Sequence, residues 1–79
     1  MMDTYQRLVD CFAAVFPDLP LSAIPTASTV DVPQWDSIAN VTLISVVEEE
    51  FSVQLPVDEL ENMTSFGLIE RAIQGQLDR

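Results

Sequence analysis

Four prolines, Pro17, Pro20, Pro25 and Pro33, fix the backbone of one stretch so firmly that no helical period survives it. Residues Pro17 to Trp35 are therefore a long loop, and regular structure must lie on either side of it. A loop of that length is unusual in a compact domain unless it is functional or packs on its own apolar residues. Leu21, Ile24, Val30 and Val32 are placed to anchor it, with one turn of helix expected around Ser22 to Ile24.

Before the loop, Asp3 to Phe16 carries Tyr5, Leu8, Val9, Phe12, Val15 and Phe16 at spacings of three and four, which predicts an amphipathic helix stopped by Pro17. After it, Asp36 or Ser37 caps a second helix that runs to Phe51. Steps of about 100° put Leu43, Ile44, Val47 and Phe51 on one arc, toward the core. The opposite arc holds Ile38, Thr42, Ser45 and Glu49, with Val41 and Glu48 at its margin. That mixed apolar and acidic face lies on the same side as the Ser37 hydroxyl and reads as a docking surface.

Ser52 to Pro56 is a connection, and Val57 to Met63 fits a short helix with Leu60 inward. Thr64 or Ser65 caps a last helix, Ser65 to Leu77, in which Phe66, Ile69, Ala72, Ile73 and Leu77 keep the helical spacing. Gly67 costs that helix up to about 1 kcal/mol relative to alanine, so a close backbone approach by a neighbour is the expected compensation. The sequence shows no strand alternation and no repeat, and no second domain is expected within these residues. The expected fold is all-α, one domain over residues 1–79. It is a small antiparallel bundle of three main helices plus one short helix, joined by the long ordered loop. Its expected core is Leu8, Phe12, Val15, Leu43, Ile44, Val47, Phe51, Leu60, Ile69 and Ile73.

Charge and cysteine usage narrow the function. Thirteen acids against three arginines give a net charge of -10, which repels nucleic acid and steers basic partner surfaces toward the domain. One cysteine, Cys11, cannot form an internal disulfide, and with no histidine the usual zinc ligand sets are excluded. Cys11 lies beside the apolar stripe of the first helix and reads as a packing residue. A reducing, cytoplasmic setting is the expectation. The longest uncharged helical run, Ser37 to Val47, is too short to span a bilayer, so stable membrane insertion is not expected. The domain is expected to be a monomer.

With no histidine and no lysine, neither a Ser-His-acid nor a Ser-Lys arrangement can be built around Ser37 within the chain. Glycine-rich phosphate loops and calcium loops are absent, and neighbouring glutamates among Glu48, Glu49 and Glu50 point about 100° apart on a helix rather than converging. No catalytic residue and no metal ligand is assigned. Asp36-Ser37 before an apolar run is also an ordinary helix start, and by itself that dipeptide favours capping over function.

The residues around it change that balance. Trp35-Asp36-Ser37-Ile38, then Val41, Leu43-Ile44, Val47 and Glu48-Glu49-Glu50-Phe51, resembles the Asp-Ser-Leu motif and second helix of acyl carrier proteins. The similarity extends to the short helix after Pro56 and the Thr64-Ser65 start of the last helix, covering most of the chain. The resemblance implies a non-catalytic carrier with 4′-phosphopantetheine attached to Ser37 by a phosphopantetheinyl transferase that draws it from coenzyme A. The arm's thiol, not Cys11, would carry the acyl thioester. Asp36 then has two compatible roles, capping the helix and meeting the transferase or its metal. Trp35 would set the angle at which the loop enters the helix, and Ile38 replaces the commonest leucine.

By the same resemblance, Ile38, Val41, Thr42, Ser45, Glu48 and Glu49 would form the face for partner enzymes with basic docking surfaces, whether acyl-activating enzymes, acyltransferases or synthases. An acyl chain drawn into the bundle would lie among Ile44, Val47, Leu60, Ile69 and Ile73. The chain departs from housekeeping fatty acid carriers in having Ala39 and Thr42 where acids usually stand. That implies a specialised acyl, polyketide or related biosynthetic pathway. Asn40 projects toward the core arc and should need a polar partner; it would either narrow the acyl pocket or hold the prolyl loop. Two alternatives stand beside this reading. One is a peptidyl carrier domain of nonribosomal synthesis, although Gln34-Trp35-Asp36 differs from the usual approach to its serine. The other is an unmodified acidic interaction module in which Ser37 is only a cap.

Overall fold

The computed structural model describes residues 3–77. They form an all-α bundle of three α-helices, α1 (Thr4–Val15), α2 (Ser37–Phe51) and α3 (Phe66–Leu77), with two short 3-10 helices, Leu21–Thr26 and Val57–Asn62, in the connections. The first of these extends the single turn expected within the prolyl loop.

Each α-helix starts where a short polar side chain can satisfy a free N–H group. The Asp3 carboxylate accepts from Gln6 N at 2.8 Å, the Asp36 carboxylate from Ala39 N at 2.8 Å, and Ser65 Oγ from Leu68 N at 3.2 Å. Ser65 is thus the cap of α3, and the helix begins one residue later than the sequence reading put it. At the far end of α2, Ser52 adopts a left-handed conformation (φ 55°) and its N–H returns to the Glu48 carbonyl.

Helix α1 is the hub, packing on α2, on α3 and on the first short helix. Phe12, wholly buried, lies 5.2 Å from Phe66, 5.3 Å from Trp35 and 6.3 Å from Phe16 between ring centroids. Leu8, Leu43, Ile44, Val47, Phe51, Ile69 and Ile73 are buried in the core as expected, joined there by Val9, Cys11, Leu55 and Met63. On the other side of α1, Arg7 pairs with the Glu50 carboxylate at 2.8 Å, donates to the Glu50 carbonyl at 2.6 Å and lies over the Phe51 ring. It therefore joins α1 to the C-terminal end of α2, where a cation meets exposed carbonyls favourably.

Several expectations are corrected. Val15 and Leu60 are only partly buried, because Phe16 takes the inward place at the end of α1 and Leu60 lies at the rim of the bundle. Ile24 and Val32 anchor the loop, but Leu21 and Val30 are 66% and 91% exposed. Val30 occupies the tip of a turn in which the Asp31 and Val32 N–H groups both donate to the Ser28 carbonyl, so its side chain leaves the surface. Ile24 and Ala27 fill the inward positions near Leu21.

An isolated antiparallel bridge between Ser28 and Ser65 ties the loop to the start of α3, with Thr29 N donating to Thr64 O and Phe66 N to Ala27 O. No neighbour approaches Gly67: a Cβ built there meets no atom within 4 Å.

Two measurements of urea unfolding test this account. Gly67→Ala is expected to stabilise the domain by up to about 1 kcal/mol, since it adds helix propensity without a clash. Phe12→Ala is expected to destabilise it by about 3–5 kcal/mol, a large share of the stability of so small a domain.

Candidate functional site

The mouth of α2 is built by a buried aromatic and two short polar side chains. Trp35, at 3% exposure, drives the end of the loop into the core, its ring edge-on to Phe12 and 5.9 Å from Phe16. The Trp35 N–H bonds back to the Val32 carbonyl, tightening the last turn before the helix. Asp36 then caps α2 with its side chain, while its carbonyl accepts from Asn40 N at 2.8 Å. Ser37 follows as the first helical residue and is exposed. Among the described residues nothing accepts from the backbone N–H groups of Ser37 and Ile38, as expected for the open end of a helix.

Asn40, one turn along, joins three segments. Its Oδ1 accepts from the Trp35 indole Nε1 at 2.9 Å, and its Nδ2 donates to the Leu60 carbonyl at 3.1 Å. The polar partner that the sequence demanded is therefore the prolyl loop on one side and the second short helix on the other. A tryptophan indole buried in a core finds a hydrogen-bond acceptor as a rule, and here α2 supplies it.

Beside Ser37 an open cleft of about 540 Å³ runs between the loop, the start of α2 and the second short helix. Trp35, Asn40, Leu60 and Met63 contribute to its walls, with Asp36 and Glu61 bringing carboxylates. The sequence pointed to Trp35, Asp36, Ser37 and Leu60. It did not point to Met63, Glu61, Thr29 or Thr64, which long-range packing brings to the same cleft.

The outward face of α2 stands largely as its periodicity placed it. Ile38 is 79% and Val41 58% exposed, and Thr42, Ser45 and Glu49 are exposed beside them. The Thr42 hydroxyl bonds back to the Ile38 carbonyl at 3.3 Å. Glu48 does not belong with them: half-buried, its carboxylate accepts from Leu55 N at 2.7 Å and holds the connection after α2. The residues expected around an acyl chain separate as well. Ile44, Val47, Ile69 and Ile73 are packed in the core, whereas Leu60 lines the open cleft beside Ser37.

Cys11 is buried at 4% exposure in the core. Burial pushes its thiol up from 9.0 to about 11, reinforced by the charges of Glu50 and Asp10 and partly offset by Arg7. It is a packing group at neutral pH and takes no part in the site. No helix of the described residues is long and apolar enough to cross a membrane.

No protein-family model matches the chain, and no solved structure matches it. The reading of the site therefore stands on its own residues.

The raised thiol has a consequence for stability. Below pH 9.0 Cys11 is protonated in the folded and unfolded chain alike; above it the unfolded chain releases the proton first, so stability falls as pH rises from 9.0 toward about 11. Urea midpoints measured across that interval should fall less in Cys11→Ala than in the unsubstituted protein.

Proposed function

We propose that this domain is an acyl carrier protein in which Ser37 holds 4′-phosphopantetheine and presents acyl thioesters to partner enzymes. The observation that carries the reading is the exposed Ser37 hydroxyl on the first residue of a 15-residue helix, flanked by a capping Asp36 and opening onto a cleft. It stands in a chain without histidine or lysine, so no base for serine catalysis in cis is at hand. Exposure, not activation, is what a serine needs when a separate transferase supplies the base.

The surroundings suit the group. A phosphodiester on Ser37 would sit at the positive end of the α2 dipole, near the unengaged N–H groups of Ser37 and Ile38. When bound, the arm supplies a thiol for thioester exchange. The protein's part is to hold Ser37 outward on a rigid helix and leave the flexible reach to the arm, which raises the local concentration of cargo at a partner's active site. Ile38 and Val41, with Thr42, Ser45 and Glu49 around them, then form the surface for basic partner enzymes, the transferase included. The partners belong to a specialised acyl or polyketide pathway, in keeping with Ala39 and Thr42 in the early part of α2. A cytoplasmic setting agrees with this role, since a single unpaired cysteine persists in a reducing compartment.

The same exposed Ile38 and Val41 would also serve an unmodified acidic interaction module, which one experiment separates. Incubated with coenzyme A and a broad-specificity phosphopantetheinyl transferase, the protein should gain the mass of one phosphopantetheine, and Ser37→Ala should gain none. An unchanged intact mass, or a gain that persists in Ser37→Ala, would remove Ser37 from the role.

A further inference from the structure

Asn40 is the only side chain described that hydrogen-bonds both to the loop entering α2 and to the second short helix. It does so in the lining of the cleft beside Ser37. We infer that Asn40 is a specificity-determining latch: by closing the seam between α2 and the second short helix, it keeps cargo attached near Ser37 in the open cleft and out of the core. The inference rests on the attachment of a cargo-bearing arm to Ser37.

Asn40 lies one turn from the serine and bridges α2 to the second short helix, so a chain entering between those two elements toward Ile44, Val47, Ile69 and Ile73 would meet it. A chain passing there must break the bond to the Trp35 indole and the bond to the Leu60 carbonyl together. Breaking them leaves a buried indole N–H and both ends of a half-buried amide without partners, and an apolar chain cannot replace any of them. Among the described residues no buried side-chain polar atom lacks a partner, so the closed seam is fully satisfied as it stands.

The core behind it is closed to solvent: Val47, Ile69 and Ile73 have no exposure at all and Ile44 has 3%. Outside the latch, Leu60 and Met63 offer apolar contact, while Asn40, Thr29 and Thr64 offer hydrogen bonds. A cleft of that composition suits a short or polar acyl group, whereas a long alkyl chain would remain largely in water.

Methyl and indole NMR of the intact 79-residue chain tests this. The domain is loaded at Ser37 with acetyl- or octanoyl-phosphopantetheine from the corresponding coenzyme A thioester, with loading read by intact mass. In the unsubstituted protein, octanoyl should shift the Trp35 indole N–H and Leu60 methyl signals relative to acetyl, and leave Ile44, Val47, Ile69 and Ile73 unmoved. In Asn40→Ala the octanoyl chain, but not acetyl, should shift those four core methyls. Trp35→Phe, which removes one of the two bonds and keeps an aromatic ring, should give a smaller shift of the same kind, so the comparison survives if Asn40→Ala does not fold. Core methyls that respond to octanoyl in the unsubstituted protein overturn the latch while leaving attachment intact. A latch variant that folds, loads and matches the unsubstituted pattern overturns it equally. Failure to load at all overturns the attachment, and the latch with it.

Discussion

The packing of Phe12 against three other aromatic rings is the contact on which the rest of this domain depends. One wholly buried side chain from α1 meets Phe16 at the end of its own helix, Trp35 at the end of the loop and Phe66 at the start of α3. Offset and edge-to-face rings gain more than their area alone would give, and this cluster spans three segments far apart in sequence. Without it the prolyl loop would keep Ile24, Ala27 and Val32 in the core and the Ser28–Ser65 bridge to α3, but would lose its aromatic anchor at the mouth of α2. Folding a chain this short leaves a thin margin of stability, so concentrating contacts on one helix is an economical arrangement.

The aromatic cluster also determines where α2 begins. Trp35 is buried against Phe12, and the next two residues must therefore emerge at the surface, Asp36 to cap and Ser37 to stand free. The buried indole in turn requires an acceptor, which Asn40 provides while its amide holds the Leu60 carbonyl. Core packing, helix capping and the shape of the cleft beside Ser37 are consequences of one another. The proposed carrier role draws on this linkage: a rigid mouth for a covalently attached arm, with the bundle closed behind it.

Much of this was legible from residue spacing. The four core positions of α2 and its outward residues fell on the sides that a helical period assigns, since burial along a helix repeats with its pitch. Asp36 and Ser65, each one of two neighbouring candidates, cap helices because short polar side chains beside an apolar run can reach free N–H groups, whereas Asp3, counted within the first helix by its spacing, stands just before it as the cap. Other features carried no local signal. The bridge from Ser28 to Ser65 joins residues on two separate loops, and nothing in either loop names its partner. Glu48 resembled its neighbours in type and position, yet the chain reverses after Ser52 and brings Leu55 N to its carboxylate. Periodicity cannot anticipate that turn.

By itself, the sequence determined the three helices, the caps of α2 and α3 to within one residue, the face each helix buries and the exposed serine at the mouth of α2, because all of these follow from interactions within a few residues. Only the tertiary structure decided that Asn40 latches the loop to the second short helix, that Glu48 leaves the outward face and that Gly67 stands in open space. It also decided that Leu21 and Val30 stay in solvent while Phe16 displaces Val15 from the inward position. These outcomes depend on which distant backbone groups and apolar surfaces meet. That is set by the competition of the whole chain for one small core, not by the propensity of any segment.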